Sequence, residues 1–460
     1  MSSSTAPVTP AAPRPGFDRA LVLLTLLAFG VRAVYLVLEP RCSLTGDESS
    51  WIALGIHELG RPHRGLSPLR IKFVFYPPIY PYFIAVLHRA FGTLAAVKWA
   101  QAGAGALLVP AVGKAGTLAF SRRAGRLAAV FTALYPDLVW FSVHFWSETL
   151  FLVFLWWAIE RTLRADTRPS AWTAGGAGVL FGLAALTREL AMYLVPLAAL
   201  WLLRPGRGEG WPARGEWWPS APARRRAAAL VLGLVLTVAP WTVRNAIVFH
   251  AFIPISTMGS LNLWQGNTTV THLEIYEVLA KMGGPLAQDR YCRRMAWETI
   301  RERQPLWILE KLGEQMPEFW KAGSEVLDHL VGRAACGPLS DRTLVGLEIV
   351  LVGPYLVALF LFLLALVRVP LTAGGGLLLL LLAAYNLAHV VAYATTRFRL
   401  PVMPVVLIFV AALLAGWGKG ALRPLRGWRR GLFVGLVLLT LVLLLPGLPE
   451  LTIWRLLVGG

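Results

Sequence analysis

Asp47 and Glu48 are adjacent carboxylates that open an apolar stretch containing Trp51, Ile52, Ile56 and Leu59. One carboxylate of such a pair can act as general base toward a hydroxyl while the other orients it or binds an acceptor. The competing structural reading is a helix start, with Asp47 as N-cap and Glu48 in the first turn. Glu148, within Trp146-Ser147-Glu148-Thr149, is either a second carboxylate of the same site or an interfacial anchor beside Trp146. Four arginines stand at the ends of apolar runs: Arg188, Arg244, Arg397 and Arg399. Singly, each reads as a snorkelling side chain. Several on one face, close to carboxylates, suit a phosphate at headgroup depth, because the guanidinium fork matches phosphate oxygens. Lys72 and Tyr76, just before Pro77-Pro78, are candidates to reach the same region, as are Asn245 and Asn262, although a solvated loop is the better single-residue explanation of Lys72 and Tyr76. Arg32, inside the first apolar run, needs a partner or a polar cavity.

These residues must be positioned by elements that live in a bilayer. Of 460 residues 56% are apolar and 15% charged, with a mean hydropathy of +0.60, a profile of multi-pass membrane proteins rather than soluble domains. The net charge of +19 comes from arginines gathered in short segments between apolar runs, as at Arg122, Arg123 and Arg126, at Arg161, Arg164 and Arg168, from Arg204 to Arg226, and from Lys419 to Arg430. Such clusters mark the cytoplasmic side of a membrane, and they leave no reason to invoke nucleic acid. Cys42, Cys292 and Cys336 have no metal-ligand spacing, so no metal site is indicated; a Cys292–Cys336 bridge stays open.

Residues 1–19 read as a disordered cytoplasmic tail, and Ala20 to Leu38 as an uncleaved first span. Further apolar runs lie at 99–120, 126–146, 149–163, 171–187, 190–203, 227–245, 344–367, 371–394, 399–416 and 431–448. Pro78 to Gly92 is too short to cross, and counting it as a span would place the arginine-rich loops outside. It therefore reads as a helix lying on the surface. The expected architecture is an all-α integral membrane protein, a polytopic bundle of about eleven transmembrane helices with juxtamembrane helices on the outer face. Residues 20–245 form a catalytic transmembrane module with a first outer loop at 39–98. Residues 246–342 form an extracytoplasmic helical lid with helices near Pro285–Arg303 and Pro305–Lys321, and 343–460 hold the C-terminal spans. In this topology the acidic pair, Glu148 and the arginines of the helix ends all face the outer side.

The order of these segments resembles a family. The Asp-Glu pair after the first span, Tyr76-Pro77-Pro78-Ile79-Tyr80-Pro81, Tyr135-Pro136 leading to Ser147-Glu148, Gly182-Leu183-Ala184-Ala185-Leu186-Thr187-Arg188 and Arg397-Phe398-Arg399-Leu400-Pro401 are similar to the membrane glycosyltransferases of the C superfamily. The likeness is to the bacterial branch related to protein O-mannosyltransferases and lipid A aminoarabinose transferase. Pro240-Trp241-Thr242-Val243-Arg244-Asn245, continuing through Ile255-Ser256-Thr257 to Asn262-Leu263-Trp264-Gln265-Gly266-Asn267, is its most specific stretch.

The resemblance implies a polyprenyl-phosphate-linked sugar as donor, inversion at the anomeric carbon and Asp47 as the base, with a lipid, glycan or protein hydroxyl as acceptor on the outer face of the cytoplasmic membrane. No cofactor is implied beyond a divalent cation as an option. Physical chemistry agrees with that division of labour. Phosphate departs without a proton, so the acceptor alone needs a base while the departing charge needs cations such as Arg244, Arg397, Arg399 and Arg188. Two positions depart from the pattern. Trp51 stands where a tyrosine is common, and Phe75-Tyr76 precede Pro77-Pro78 where aminoarabinose transferases carry Glu-Lys, so neither a metal there nor lipid A as acceptor follows. The rival class is a transporter or lipid flippase, which would spread charge through the membrane depth and show an internal repeat.

Overall fold

The structure is a computed structural model and describes residues 18–38, 44, 46–59, 73–205, 219–331 and 339–458. Every element of these is helical. α1 (Arg19–Leu38) is followed by α2 (Glu48–Ile52), which continues as a π-helical turn over Ala53–Leu59, and by α3 (Ile79–Phe91). α3 has 13 residues and rises about 20 Å, short of the roughly 30 Å of a bilayer core. It turns Tyr80, Pro81, Ile84 and Ala85 inward and stops at Gly92, whose left-handed φ of 69° closes the helix.

α4 (Leu94–Ala119), α5 (Arg122–Leu134), α6 (Pro136–Phe141), α7 (Glu148–Thr167), α8 (Ala171–Ala185), α9 (Ala191–Leu202) and α10 (Ala221–Phe249) make the first bundle. Small residues set its tightest contacts. A Cβ at Gly178 of α8 would collide with the carbonyl of Leu230 on α10, and one at Gly125 of α5 with the carbonyl of Gly113 on α4. Backbone-to-backbone approach of this kind is how helices associate where lipid removes the hydrophobic drive. α10 runs one turn past Asn245, where the sequence placed the end of the span, and ends at His250, φ 52°.

The lid follows as α11 (Met258–Gly266), α12 (His272–Ala280), α13 (Pro285–Glu302), α14 (Trp307–Trp320) and α15 (Glu325–Val331). α13 and α14 fall on the two helical patterns of the sequence. The lid has a small core of its own from Leu261, Trp264, Ile275, Leu279, Cys292 and Ala296. Cys292 is a free, buried thiol; the expected Cys292–Cys336 bridge falls outside the described residues, because Cys336 is not among them.

The chain closes with α16 (Asp341–Arg368), α17 (Ala373–Val391), the 3₁₀ turn Thr396–Val402, α18 (Met403–Gly416), α19 (Trp428–Leu444) and α20 (Thr452–Val458). The span formed by Thr396–Gly416 is 94% buried and is the axis of the molecule, whereas that of Trp428–Glu450 is 6% buried and lies on the rim.

Seven described helices are long and apolar enough to cross a membrane: α1, α4, α10, α16, α17, α18 with its 3₁₀ turn, and α19 with the turn after it. The other four expected spans are helical too: α8 has 15 residues and α9 has 12, α7 carries Glu160, Arg161, Arg164 and Asp166 in its second half, and α5 with α6 is broken at Tyr135-Pro136. The protein is thus an all-α, multi-pass membrane protein.

Contacts between helix termini sort the bundle into two ends. Asp18 meets Arg126, Thr372 bonds the carbonyl of Ala119, Arg226 bonds that of Leu202, and Arg423 pairs its amide with Arg368; this is the basic end. The opposite end gathers the start of α2, the α6–α7 turn, the α8–α9 turn, the end of α17, the 3₁₀ turn and the lid.

Candidate active site

At that opposite end Asp47 occupies the N-cap position of α2 but makes no capping hydrogen bond. Its Oδ2 instead accepts from Arg397 Nη1 at 3.0 Å. Arg397 also brings Nε to 3.4 Å from Glu148 Oε1, and Arg188 Nη1 donates to the same oxygen. One carboxylate thus bridges two guanidiniums, one from the α8–α9 turn and one from the 3₁₀ turn. Aromatic faces complete the enclosure: Arg397 lies 4.7 Å over Trp146 and 5.1 Å over Phe398, and Arg188 lies 5.2 Å over that same Phe398. His389 stacks on Phe398 at 4.5 Å. Such packing fixes guanidinium planes while replacing part of their hydration.

The two acids of the pair have separate jobs. Glu48 is buried, 1% exposed, and accepts the amide of Phe145 at 3.2 Å, which ties α2 to the α6–α7 turn. Asp47 has a side chain 46% exposed, so it remains in reach of an incoming group. Behind them Trp51 stacks on Tyr76 at 4.6 Å and meets Tyr80 edge-on at 5.3 Å. The Tyr80 hydroxyl donates to Gln101 at 2.8 Å, and Gln101 donates to the carbonyl of Phe141 at 2.9 Å. Burial, reinforced by the Asp47 charge, raises the pKa of the Tyr76 phenol, so Tyr76 is a neutral hydrogen-bonding group beside the carboxylate.

The remaining sequence candidates divide. Arg244 donates to the carbonyl of Phe73 at 2.7 Å and to Asn245 Oδ1 at 2.8 Å, and Asn245 Nδ2 donates to the carbonyls of Ile253 and Ile255. The pair shapes the α10–α11 connection and the segment before Tyr76. Arg399, 2% exposed, donates to the carbonyls of Lys321, at 2.8 Å, and Gly323 and covers the Tyr355 ring at 3.7 Å. Its fork is filled by backbone. Asn262 is half-buried on α11, and Lys72 lies outside the described residues. Arg32 finds its partners in the carbonyls of Ala28, Ala133 and Leu138.

The lid contributes groups the sequence did not single out. His329 lies parallel to Trp140, centroids 5.6 Å apart, and 4.9 Å from Trp146. Its Nε2 is 3.6 Å from Glu325 Oε1. The usable signal was Glu325 and His329 at i,i+4 spacing on one short helix face. Among the described residues no cluster of three or more His, Cys, Asp or Glu could hold a metal ion. The arrangement offers an accessible carboxylate, two cations from separate elements and a buried carboxylate linking them.

Residues 76–243 match the family described as dolichyl-phosphate-mannose-protein mannosyltransferase. The matched stretch contains Tyr76, Glu148 and Arg188 but neither Asp47 nor Arg397. No curated protein matches the chain by sequence. Among solved structures, the oligosaccharyltransferase of Archaeoglobus fulgidus is 15% identical with a TM-score of 0.47, over 93% of this chain and 54% of that one. The same archaeal enzyme, AglB, in complex with an inhibitory peptide and a dolichol-phosphate gives 14% and 0.48, with the same coverage. ArnT from Cupriavidus metallidurans bound to undecaprenyl phosphate gives 17% and 0.40, over 86% of this chain and 77% of that one. The chain thus spans about half the length of the archaeal oligosaccharyltransferase. By these comparisons residues 76–243 are similar to the dolichyl-phosphate-mannose-protein mannosyltransferase family.

Proposed function

We propose that the protein is an inverting glycosyltransferase that moves a sugar from a polyprenyl-phosphate donor to a hydroxyl acceptor on a lipid, glycan or protein. The observation that carries this reading is the Asp47–Arg397–Glu148–Arg188 chain of contacts, in a protein whose residues 76–243 match a polyprenyl-phosphate-sugar transferase family. Asp47 takes the acceptor proton as the oxygen attacks the anomeric carbon. The bond to phosphate breaks on the opposite face, and the departing phosphate carries its charge away without needing a proton.

Arg397 and Arg188 are the cations that receive that charge. Both are bonded to carboxylates, so a phosphate on Arg397 competes with Asp47 for its Nη1. A phosphate offers more charge and more oxygens than the single Asp47 contact, so donor binding favours release of the carboxylate to serve as base. The site belongs on the outer face of the cytoplasmic membrane, because the basic end carries the arginine clusters expected in the cytoplasm.

Mass spectrometry of envelope lipids and glycans from a strain lacking the protein tests the reading. A lost sugar modification, restored by the wild-type chain and not by Asp47→Asn, is the expected result. A transporter or flippase is the alternative. It predicts an intact glycosidic bond with the lipid-linked sugar trapped on one side, and that result would overturn the proposal. The convergence of Asp47, Glu148, Arg188 and Arg397 from four elements into one cluster favours transfer over transport.

A further inference from the structure

His329 of the lid touches the Asp47 turn. Gly46, immediately before Asp47, is left-handed with φ 56°, and a Cβ there would lie 2.9 Å from His329 Cε1 and 3.3 Å from the Trp146 ring. The turn is seated directly on the imidazole edge. His329 in turn is fixed by the Trp140 and Trp146 faces and by Glu325 one helical turn earlier. Glu325 accepts from Thr396 Oγ1 at 3.4 Å, and Thr396 precedes Arg397, which bonds Asp47. The contacts close into a ring that runs Asp47, Arg397, Thr396, Glu325, His329, Gly46 and back to Asp47.

The start of the segment Lys321–Val331, which carries Glu325 and His329, is fastened by buried polar groups. Arg399 takes the carbonyls of Lys321 and Gly323, and Ser324 donates to Asp137 at 3.2 Å. The strap is therefore anchored to the bundle independently of His329, so loss of the His329 contact leaves it attached. Asp47 by contrast has a side chain about half exposed and no capping bond to hold it. Its direction depends on Arg397 on one side and on the seating of Gly46 on the other.

We infer that the segment Lys321–Val331 is a positioning strap for the catalytic turn and that His329 is the positioning residue through which it aims Asp47. The inference rests on the reading of Asp47 as base. A base must lie within about 3 Å of the proton it takes, and displacement of a reacting group by an ångström costs on the order of a hundredfold in rate. The groups facing His329 are Glu325 on its own helix, Arg397 on the 3₁₀ turn, and Asp47 and Glu48 at the start of α2; burial holds its pKa below the ordinary value. It acts as a neutral, packed ring rather than as a cation.

The test uses purified full-length enzyme supplied with donor and acceptor by membranes from a strain lacking it, with undecaprenyl phosphate as a binding probe. His329→Ala is expected to slow transfer by about ten- to a hundredfold while undecaprenyl phosphate affinity changes less than about threefold. His329→Phe keeps a ring on Trp140 and under Gly46, and should recover most of that loss. In an Asp47→Asn background the His329→Ala penalty should vanish, because the residue acts only through Asp47. Equal penalties in both backgrounds, or full activity of His329→Ala, would overturn the positioning role. Normal transfer by Asp47→Asn alone would instead overturn the assignment of the base, so the two failures are distinguishable. If His329→Ala fails to fold, the Phe variant carries the test: a rate as poor as that of Asp47→Asn despite the retained ring sinks the inference.

Discussion

The two ends of the bundle contain the same residue types and use them differently. At the basic end carboxylates are answered by arginines at helix ends. Glu160 accepts from Arg164 Nε, one turn further along α7, at 2.9 Å, Asp18 meets Arg126 at 3.0 Å where α1 and α5 begin side by side, and Asp166 lies 3.7 Å from Arg204. Each pair neutralises a charge where a helix leaves the apolar layer. At the other end Asp47, Glu148, Arg188 and Arg397 come from four different elements, two of them 350 residues apart in sequence, and are walled by Trp146 and Phe398. Burying charges costs several kcal/mol each unless their geometry is good. Each pair of the basic end recovers that cost between at most two helices. The convergent cluster needs four elements in place at once, a demand that the basic end does not make and that the proposed transfer explains.

Asp47→Asn tests that difference most severely. Asn caps a helix about as well as Asp, and Asp47 does not use its side chain as a cap, so the fold has little to lose. Transfer is expected to fall by roughly 10²-fold or more, the scale of a general-base contribution, at matched thermal stability. A purified variant with near wild-type turnover would return Asp47 to the status of a helix start and pass the role of base to Glu148.

The contrast also shows what the sequence can express. That Asp47, Glu148, Arg188 and Arg397 belong at one end of the bundle was readable because charge at the end of an apolar run is conspicuous and arginine placement orders the ends. The partner of each arginine was not readable. Arg399 sits two residues from Arg397, yet it is spent on the carbonyls of Lys321 and Gly323, and Arg244 is spent on Phe73 and Asn245. Whether a guanidinium faces a carboxylate or a carbonyl depends on which way a turn points, and no spacing rule encodes that. His329 was missed for a related reason: its importance lies in the contact with Gly46, between segments far apart in sequence. Two of the five helices of the lid, α13 and α14, were legible from their periodicity. Four of the expected spans were less so, because α7, α8, α9 and the α5–α6 pair are short, broken or charged and get their stability from neighbours rather than from lipid.

Arg397 gives the next largest effect. Arg397→Ala removes the contact to Asp47 and the approach to Glu148 together, and a charge-assisted bond is worth about 1.5–3 kcal/mol, or roughly ten- to a hundredfold in donor use. Lysine should restore only part of this because it lacks the planar fork that reaches two acids at once. Glu160→Gln at the basic end is the matched control. It removes a buried carboxylate from Arg164, so it should lower thermal stability, while transfer by the folded fraction stays as in wild type. If Glu160→Gln slowed transfer as much as Arg397→Ala did, the functional contrast between the ends would be lost.

The smallest effect separates the two attachments of the lid by pH. Glu189, in the α8–α9 turn beside Arg188, accepts from Ser256 just ahead of α11. Burial pushes its carboxyl up from 4.5 to about 7, against the opposing pull of the Ser256 hydroxyl and amide. A carboxyl with a raised folded value favours folding most when protonated. Its contribution is therefore complete below about pH 4.5, declines as pH rises, and is lost beyond about pH 7. The contact between α11 and the turn should loosen over that window. Asp328, at the far side of the lid, is also raised by burial, to about 6, and so pulls global stability in the same direction. A melting temperature would mix the two. Hydrogen exchange at the Thr257–Leu261 amides, corrected for intrinsic rate, isolates Glu189: protection should fall between about pH 4.5 and 7, by on the order of tenfold for each pKa unit by which folding raises the group, and Glu189→Gln should make it flat. The strap at His329 is held by ring packing and by Arg399 on backbone carbonyls, and its own titrating group, Asp328, is untouched by Glu189→Gln, so in that variant any remaining loss of protection with pH should be confined to the Asp47 side of the lid. Glu189→Gln flattening the profile at both attachments would mean that the lid moves as one body and that its grip on Asp47 is no firmer than its grip on Arg188.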